Sequence, residues 1–324
     1  MLAGGLLMSE IHEPVMIAEI VELFAIVPNG VLLDATLGMA GHATAILRRH
    51  AGLHVVGIDR DMMAIEHAIE VKNSLGDADA RRFTAVHARF DRAADVLGRL
   101  GITRLSGALF DLGVSSPQLD TADRGFSYRT DAPLDMRMDR SETLSAWHVV
   151  NEYDADTIAE LLQRNADERF AKRIAEAIVA ARPISSTLQL AAVVTAAIPA
   201  ATRRSGGHPA KRTFQAIRIE VNAELDILST SLRDVMAMIE PRGRIAVLSY
   251  HSGEDRIVKN VMREAEVDSS RPNIATPFAH PSRTAPRAWR KVRVAKHPST
   301  AEQQRNPRAS SARLRAMERC ETPL

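Results

Sequence analysis

Short apolar runs along this chain alternate with segments whose apolar positions recur at helical spacing. "GVLLDATLGMAGHATAILRRH" (30–50) reads as a buried strand, a glycine-bearing turn and a helix. "LHVVGIDRD" (53–61) is a second buried strand ending in acids, and "MMAIEHAIEVKNSL" (62–75) has helical periodicity. "RRFTAVHARF" (81–90) and "GALFDLGV" (107–114) add a third and a fourth strand. Strands alternating with helices predict an α/β fold with a parallel sheet and right-handed crossovers. A fifth strand, "GRIAVLSYH" (243–251), comes about 130 residues later, far more than one crossover helix needs.

The intervening segment reads as helices. "TLSAWHVVNEY", "DADTIAELLQRNA", "ERFAKRIAEAIVAA" and "STLQLAAVVTAAI" follow one another over 143–198, the last two stopped by Pro183 and Pro199. Ser186 and Gln189 have capping-box spacing. The expected organisation is a sheet domain whose first segment is 1–116, an inserted helical domain over 117–212, and a second segment of the sheet domain with a basic tail over 213–324. "TFQAIRIEVNAELDILSTSLRDVMAMIE" (213–240) is expected to be one long crossover helix back to the sheet. The tail from 268 onward is rich in Pro, Ser and Arg, and "RKVRVAKH" and "SARLRAMER" within it alternate like edge strands.

Composition narrows the class. With 45% hydrophobic and 25% charged residues among 324, a soluble globular protein with ample core is expected. No run of about 18 apolar residues suggests a membrane span. The opening lacks the basic region of a signal peptide, and Met8 is an alternative start. The single cysteine, Cys320, allows neither an internal disulfide nor a cysteine zinc site and fits a reducing cytosol. The net charge of +2 says little, but ten Lys/Arg against one acid, Glu302, between Arg283 and Arg315 make a plausible footprint for RNA. Trp289 among them either stacks on a base or anchors the tail.

Candidate chemistry gathers at the strand ends. In "DATLGMAGH", Gly38 and Gly41 permit a tight turn and close approach of a ligand. The spacing is not the dinucleotide fingerprint, so the helix start suits a carboxylate, or the turn is an ordinary one. Asp59 ends the second strand about 20 residues after the glycine turn, where an acid accepts from ribose hydroxyls. Turn and acid together point to a nucleoside bearing a carboxylate, a description S-adenosylmethionine meets. Asp111 ends the fourth strand at the crevice of a doubly wound sheet. Gly113, Ser115 and Ser116 leave room for a flat base, and Asp111, a serine hydroxyl and carbonyls before Pro117 can accept from an exocyclic amine. Ser-Ser-Pro is equally good sequence for a helix N-cap.

"HEPVM" (12–16), "DLGVSSPQLD" (111–120), "RGFSY" (124–128), "PLDMRMD" (133–139), "ERFAKRIA" (168–175), "HPAKRTFQAIRIEVNAEL" (208–225) and "SYHSGEDRIVK" (249–259) together resemble the bacterial 16S ribosomal RNA cytosine N4-methyltransferase family, from about residue 11 to the end. The resemblance implies a Rossmann-like sheet with an inserted helical domain, S-adenosylmethionine as cofactor, and cytosine in the decoding region of small-subunit rRNA as substrate. Carried over by residue, the cofactor contacts would be Gly38, Ala40, Gly41, His42, Asp59, Phe90, Asp111 and Gln118, with Asp111, Ser115, Ser116 and Pro117 around the reacting amine. Asp135, Arg137, Lys211, Arg212, His251 and Ser252 are candidates for the RNA. Arg137 is placed to hold phosphate or a base edge, or to pair with Asp135. His251 either touches the base or orders its loop, and no neighbouring ligand spacing makes it a metal ligand. Two departures stand out. Ala40 replaces a usual glycine, tolerable unless that position needs positive φ, and Gly253 replaces a usual leucine, which is expected to loosen the start of the helix after strand five. The rivals are a non-catalytic rRNA-binding assembly factor and an amino-methyltransferase for DNA or a small molecule. Oligomeric state is not readable.

Overall fold

A computed structural model describes residues 14–201, 207–266 and 288–321. Met8, the start of the "HEPVM" segment, Arg283 and Arg287 lie outside them. Seven strands form one sheet: β1 (Gly30–Asp34), β2 (Leu53–Asp59), β3 (Phe83–His87), β4 (Leu105–Asp111), β5 (Ile239–Ser249), β6 (Trp289–Lys291) and β7 (Arg313–Arg319). Their order is β3-β2-β1-β4-β5-β7-β6. The first five are parallel, and β7 is antiparallel to both β5 and β6. "SARLRAMER" is therefore an interior strand, and of "RKVRVAKH" only the start is strand, at the true edge. The order reverses between β1 and β4, which opens a crevice at their carboxyl ends.

Helices flank the sheet: α1 (Ile17–Phe24), α2 (Gly41–Arg49), α3 (Met62–Ser74), α4 (Asp77–Arg81), α5 (Ala93–Arg99) and α6 (Ser116–Asp120) precede the insertion. α7 (Ala146–Glu152), α8 (Ala155–Ala166), α9 (Ala171–Ala180), α10 (Thr187–Ala197) and α11 (Lys211–Asn222) come next, followed by α12 (Leu228–Met238), α13 (Ser252–Glu266) and α14 (Thr300–Arg305). Strand alternation sorts the side chains onto the two faces. Leu32, Val55, Leu109 and Leu248 face α1, α2 and α3, whereas Leu33, Val56, Phe110 and Val247 face α5, α12 and α13. A third apolar core, from Phe126 to Val221, belongs to the inserted helices.

The long crossover helix expected over 213–240 is two helices. α11 packs Phe214, Ile217 and Val221 into the inserted core, and Ala223 at φ +49° ends it in the left-handed conformation. Arg218 and Glu224 pair at 2.8 Å across that break, and α12 then starts afresh against the sheet. Amphipathic spacing runs through the break because both halves need a buried face; they bury it against different cores.

Candidate functional site

Three parallel strands end in acids on one face of the sheet. Asp34 is in register with Gly57 and Leu109, so it sits two residues deeper than Asp59 and Asp111, about 7 Å below the rim. That depth explains its burial. Burial, with the Asp111 and Asp59 carboxylates nearby, pushes the Asp34 carboxyl up to about 7 despite a hydrogen bond from the Thr36 N–H. Burial also raises Asp59, whose oxygens accept from the Gly38 N–H at 2.8 Å and the Asp61 N–H at 2.8 Å. Asp34 escaped the sequence reading, although the recurrence of an acid at successive strand ends was a usable signal.

The turn between β1 and α2 carries the departure at Ala40. Gly38 sits at φ +49° and Ala40 at φ +57°, so the position does need positive φ and the alanine is strained there. Gly41 serves a different close approach from the one expected: a Cβ there would lie 2.3 Å from Pro14 Cγ, so the glycine admits the N-terminal segment rather than a ligand. His42 is buried, with Nε2 on the Val15 carbonyl at 3.0 Å and Nδ1 3.6 Å from the Asp111 carboxylate.

Asp111 ends β4 beneath Tyr250, whose hydroxyl donates to it at 2.7 Å. Burial and then Asp111 hold the phenol well above its usual range, so it remains a donor at neutral pH. A Cβ on Gly113, at φ +97°, would come within 3.2 Å of the Tyr250 ring, so the loop after β4 closes under that ring. Sequence reasoning also missed Tyr250, which sits inside the apparent fifth strand with nothing local to mark a role. Ser115 caps α6 in a capping box with Gln118, and Pro117 occupies the first turn. Ser116 is buried with a hydroxyl that has no hydrogen-bond partner. Gln118 is engaged at both ends, accepting from the Ser115 N–H at 3.0 Å and donating to Asp61 at 2.9 Å.

Asp61 in turn pairs at 2.9 Å with Arg124, the largest fully buried side chain. Arg124 also donates to the carbonyls of Arg137 and Met138 at 3.0 and 3.1 Å. In the sequence Arg124 stands out only as the first residue of a family motif. Phe90 begins a turn three residues past the end of β3, not the strand's last position, and meets Phe110 edge-on at 5.9 Å. Arg137 is held by Asp135 at 2.6 Å and by the carbonyls of Arg140 and Glu142 at 3.1 and 2.7 Å, so binding phosphate would first require its release.

The remaining candidates are spread more widely. Lys211 and Arg212 are exposed at the start of α11, with Arg212 donating to the Asp167 carbonyl at 3.3 Å. His251 has a buried ring whose Nε2 lies 3.2 Å from Glu254 without hydrogen-bond geometry, and exposed Ser252 opens α13. That helix is not loosened by Gly253. It starts at Ser252, and Glu254 accepts the N–H groups of Tyr250 and His251 at 2.7 and 3.3 Å. A Cβ on Gly253 would sit 3.1 Å from the His251 ring and 3.2 Å from Leu225, so the missing side chain lets these two close up. The tail's charge is largely spent internally: Arg290, Lys291, Arg308, Arg313 and Arg315 pair with Glu318, Glu266, Asp120 and Asp255. Trp289 is buried in the core, the anchor arrangement.

The model of the MraW methylase family matches residues 9–320. The chain belongs to this family. It is 49% identical over 318 residues to the ribosomal RNA small subunit methyltransferase H of Thermobifida fusca, covering 96% of this chain and 94% of that protein. The protein of the same name from Frankia casuarinae is 48% identical over 297 residues, 90% of each chain. Among solved structures, an rRNA methylase from Streptococcus thermophilus aligns over 93% of this chain and 94% of its own at 12% identity and a TM-score of 0.39, a likeness too loose to carry an argument. No helix among the described residues is long and apolar enough to cross a membrane.

Proposed function

We propose that the chain is a cytoplasmic S-adenosylmethionine-dependent methyltransferase acting on N4 of a cytidine in the decoding region of 16S rRNA, within the small ribosomal subunit. The observation that carries the chemistry is the convergence of Asp34, Asp59 and Asp111 on the switch-point crevice. The substrate class rests on relatives named as methyltransferases of small-subunit rRNA, nearly half identical along almost the whole chain.

The cofactor fits this site by charge. Burial, with the Asp111 and Asp59 carboxylates adding to it, pushes Asp34 up to about 7, and nearby positive charge would favour its ionised form; S-adenosylmethionine carries a sulfonium and an ammonium. Asp59 would accept from the ribose hydroxyls, Phe90 would lie against the adenine, and the first-turn N–H groups of α2, from Gly41 and His42 onward, would hold the carboxylate. When bound, the cofactor supplies an electrophilic methyl group. Asp111, steadied by Tyr250, would accept an N–H of the target amine and take up positive charge as the nitrogen becomes tetrahedral. The unpartnered Ser116 hydroxyl is a second acceptor for the same amine. The amine gains a methyl group and loses one proton, which passes to water.

The test is a nucleoside mass analysis of small subunits lacking the modification, incubated with the protein and S-adenosylmethionine. N4-methylcytidine is expected with the wild type and is lost with a folded Asp111→Ala variant. Methyl transfer only to DNA or to naked rRNA would overturn the substrate. No transfer to any of them would favour an assembly factor.

A further inference from the structure

On the inserted layer, beside a groove that Asp34, Asp59 and Asp111 do not line, two rings lie flat on one another. The His208 imidazole stacks on Tyr128 with centroids 4.4 Å apart and planes 17° from parallel. Tyr128 is braced from beneath by Phe214, edge-on at 5.7 Å, and the Arg129 guanidinium lies 5.8 Å from its centroid. Tyr128 is half-buried and His208 exposed, so one face of the imidazole is spent on the tyrosine and the other meets solvent. The Ala210 N–H donates to His208 Nδ1 at 3.2 Å, which fixes the ring's orientation.

Beside the rings runs an open groove whose other walls include Leu188, Ala192 and Thr195 of α10, and among the described residues no carboxylate lines it. Leu188 is 44% exposed there, an apolar side chain that the inserted core does not use. The exposed cations Arg129, Lys211 and Arg212 follow the two rings closely in sequence.

A flat, oriented ring pair open on one face, next to an apolar wall and with exposed cations at the neighbouring chain positions, matches an unpaired nucleotide. The base stacks on the ring and the phosphates meet the cations. An acidic peptide would use the cations but has no need of the flat face. We propose that Tyr128 and His208 form a stacking subsite for an unpaired nucleobase of the RNA substrate, outside the methyl-transfer crevice, with Arg129 and Lys211 toward its phosphates. This rests on the reading of RNA as substrate, and it names where a base other than the reacting one is held.

The experiment compares the full chain with two variants that separate stacking from helix capping. His208→Asn keeps an acceptor for the Ala210 N–H but removes the ring; His208→Phe keeps a ring and removes the acceptor. The readouts are the Kd for a labelled single-stranded oligoribonucleotide containing the target sequence, the KM and kcat for small subunits, and the Kd for S-adenosylmethionine. The subsite requires His208→Asn to weaken oligonucleotide binding about tenfold and raise KM similarly, with kcat and cofactor affinity unchanged, and His208→Phe to restore both. Lys211→Ala should lower the slope of log K against log salt by about one. Equal RNA affinity for all three proteins would overturn the subsite, as would loss in His208→Phe but not His208→Asn, the pattern of a capping role. Loss of binding to subunits with oligonucleotide affinity intact would assign the surface to a protein partner and overturn it as well. RNA binding that depends on the ring without methyl transfer by the wild type would leave the subsite standing and sink the catalytic reading instead.

Discussion

At the scale of single residues, Asp34 has the clearest measurable consequence. Burial, with the Asp111 and Asp59 carboxylates nearby, pushes its carboxyl from the ordinary 3.8 up to about 7. The folded state therefore holds a proton there that the unfolded chain has released. Stability falls as pH rises from about 4 through about 7, and the full cost, on the order of a few kcal/mol at about 1.4 kcal/mol per pKa unit, is present above that window. Asparagine removes the charge and keeps an oxygen for the Thr36 N–H, which approaches Asp34 at 3.3 Å. Without cofactor, Asp34→Asn is expected to melt several degrees above the wild type at pH 8, the gap narrowing as pH falls and closing toward about pH 4. A gap independent of pH would show that another group titrates.

At the scale of elements, the residues at the end of β2 and just past it tie the crevice together. Asp59 bonds the glycine turn, Arg60 donates to the Asn222 carbonyl at 2.7 Å, and Asp61 joins Gln118 of α6 to buried Arg124. Removing Arg124 leaves the Asp61 carboxylate buried without its cation. Arg124→Leu is expected to cost about 3–5 kcal/mol in urea unfolding, because an uncompensated buried charge is expensive. Adding Asp61→Asn to it should recover some of that loss; no recovery would mean that Arg124 acts through its carbonyl bonds instead.

At the scale of the whole molecule, Asn222 lies where the insertion meets the sheet. Its side chain accepts from the Met138 N–H and donates to the Met136 carbonyl, each at 2.8 Å, while its own carbonyl takes Arg60. Asn222→Ala removes two buried bonds at once and is expected to cost about 2–4 kcal/mol. With two separate apolar cores on either side, the calorimetric transition of the variant should be broader than that of the wild type, or split. An unchanged transition would show that these two side-chain bonds do not couple the insertion to the sheet.

Local pattern by itself determined the five parallel strands, the helices after β1 and β2, the run of helices between β4 and β5, and Asp59 and Asp111 at strand ends. Each depends on periodicity or on turn chemistry within a few residues, which the chain carries wherever it folds. Family resemblance, also legible in the sequence, supplied the reaction and the expected cofactor. Tertiary structure alone decided the rest. The break at Ala223 follows from two cores competing for one amphipathic stretch, and the position of β7 inside the sheet follows from β6 pairing beyond it. The pairing of the tail's arginines depends on acids 28 to 188 residues away in sequence, such as Glu318 and Asp120. The strain at Ala40, the depth of Asp34, the Tyr250–Asp111 bond and the Tyr128–His208 stack likewise join residues, or fix a backbone angle, through register and long-range packing that no local pattern encodes.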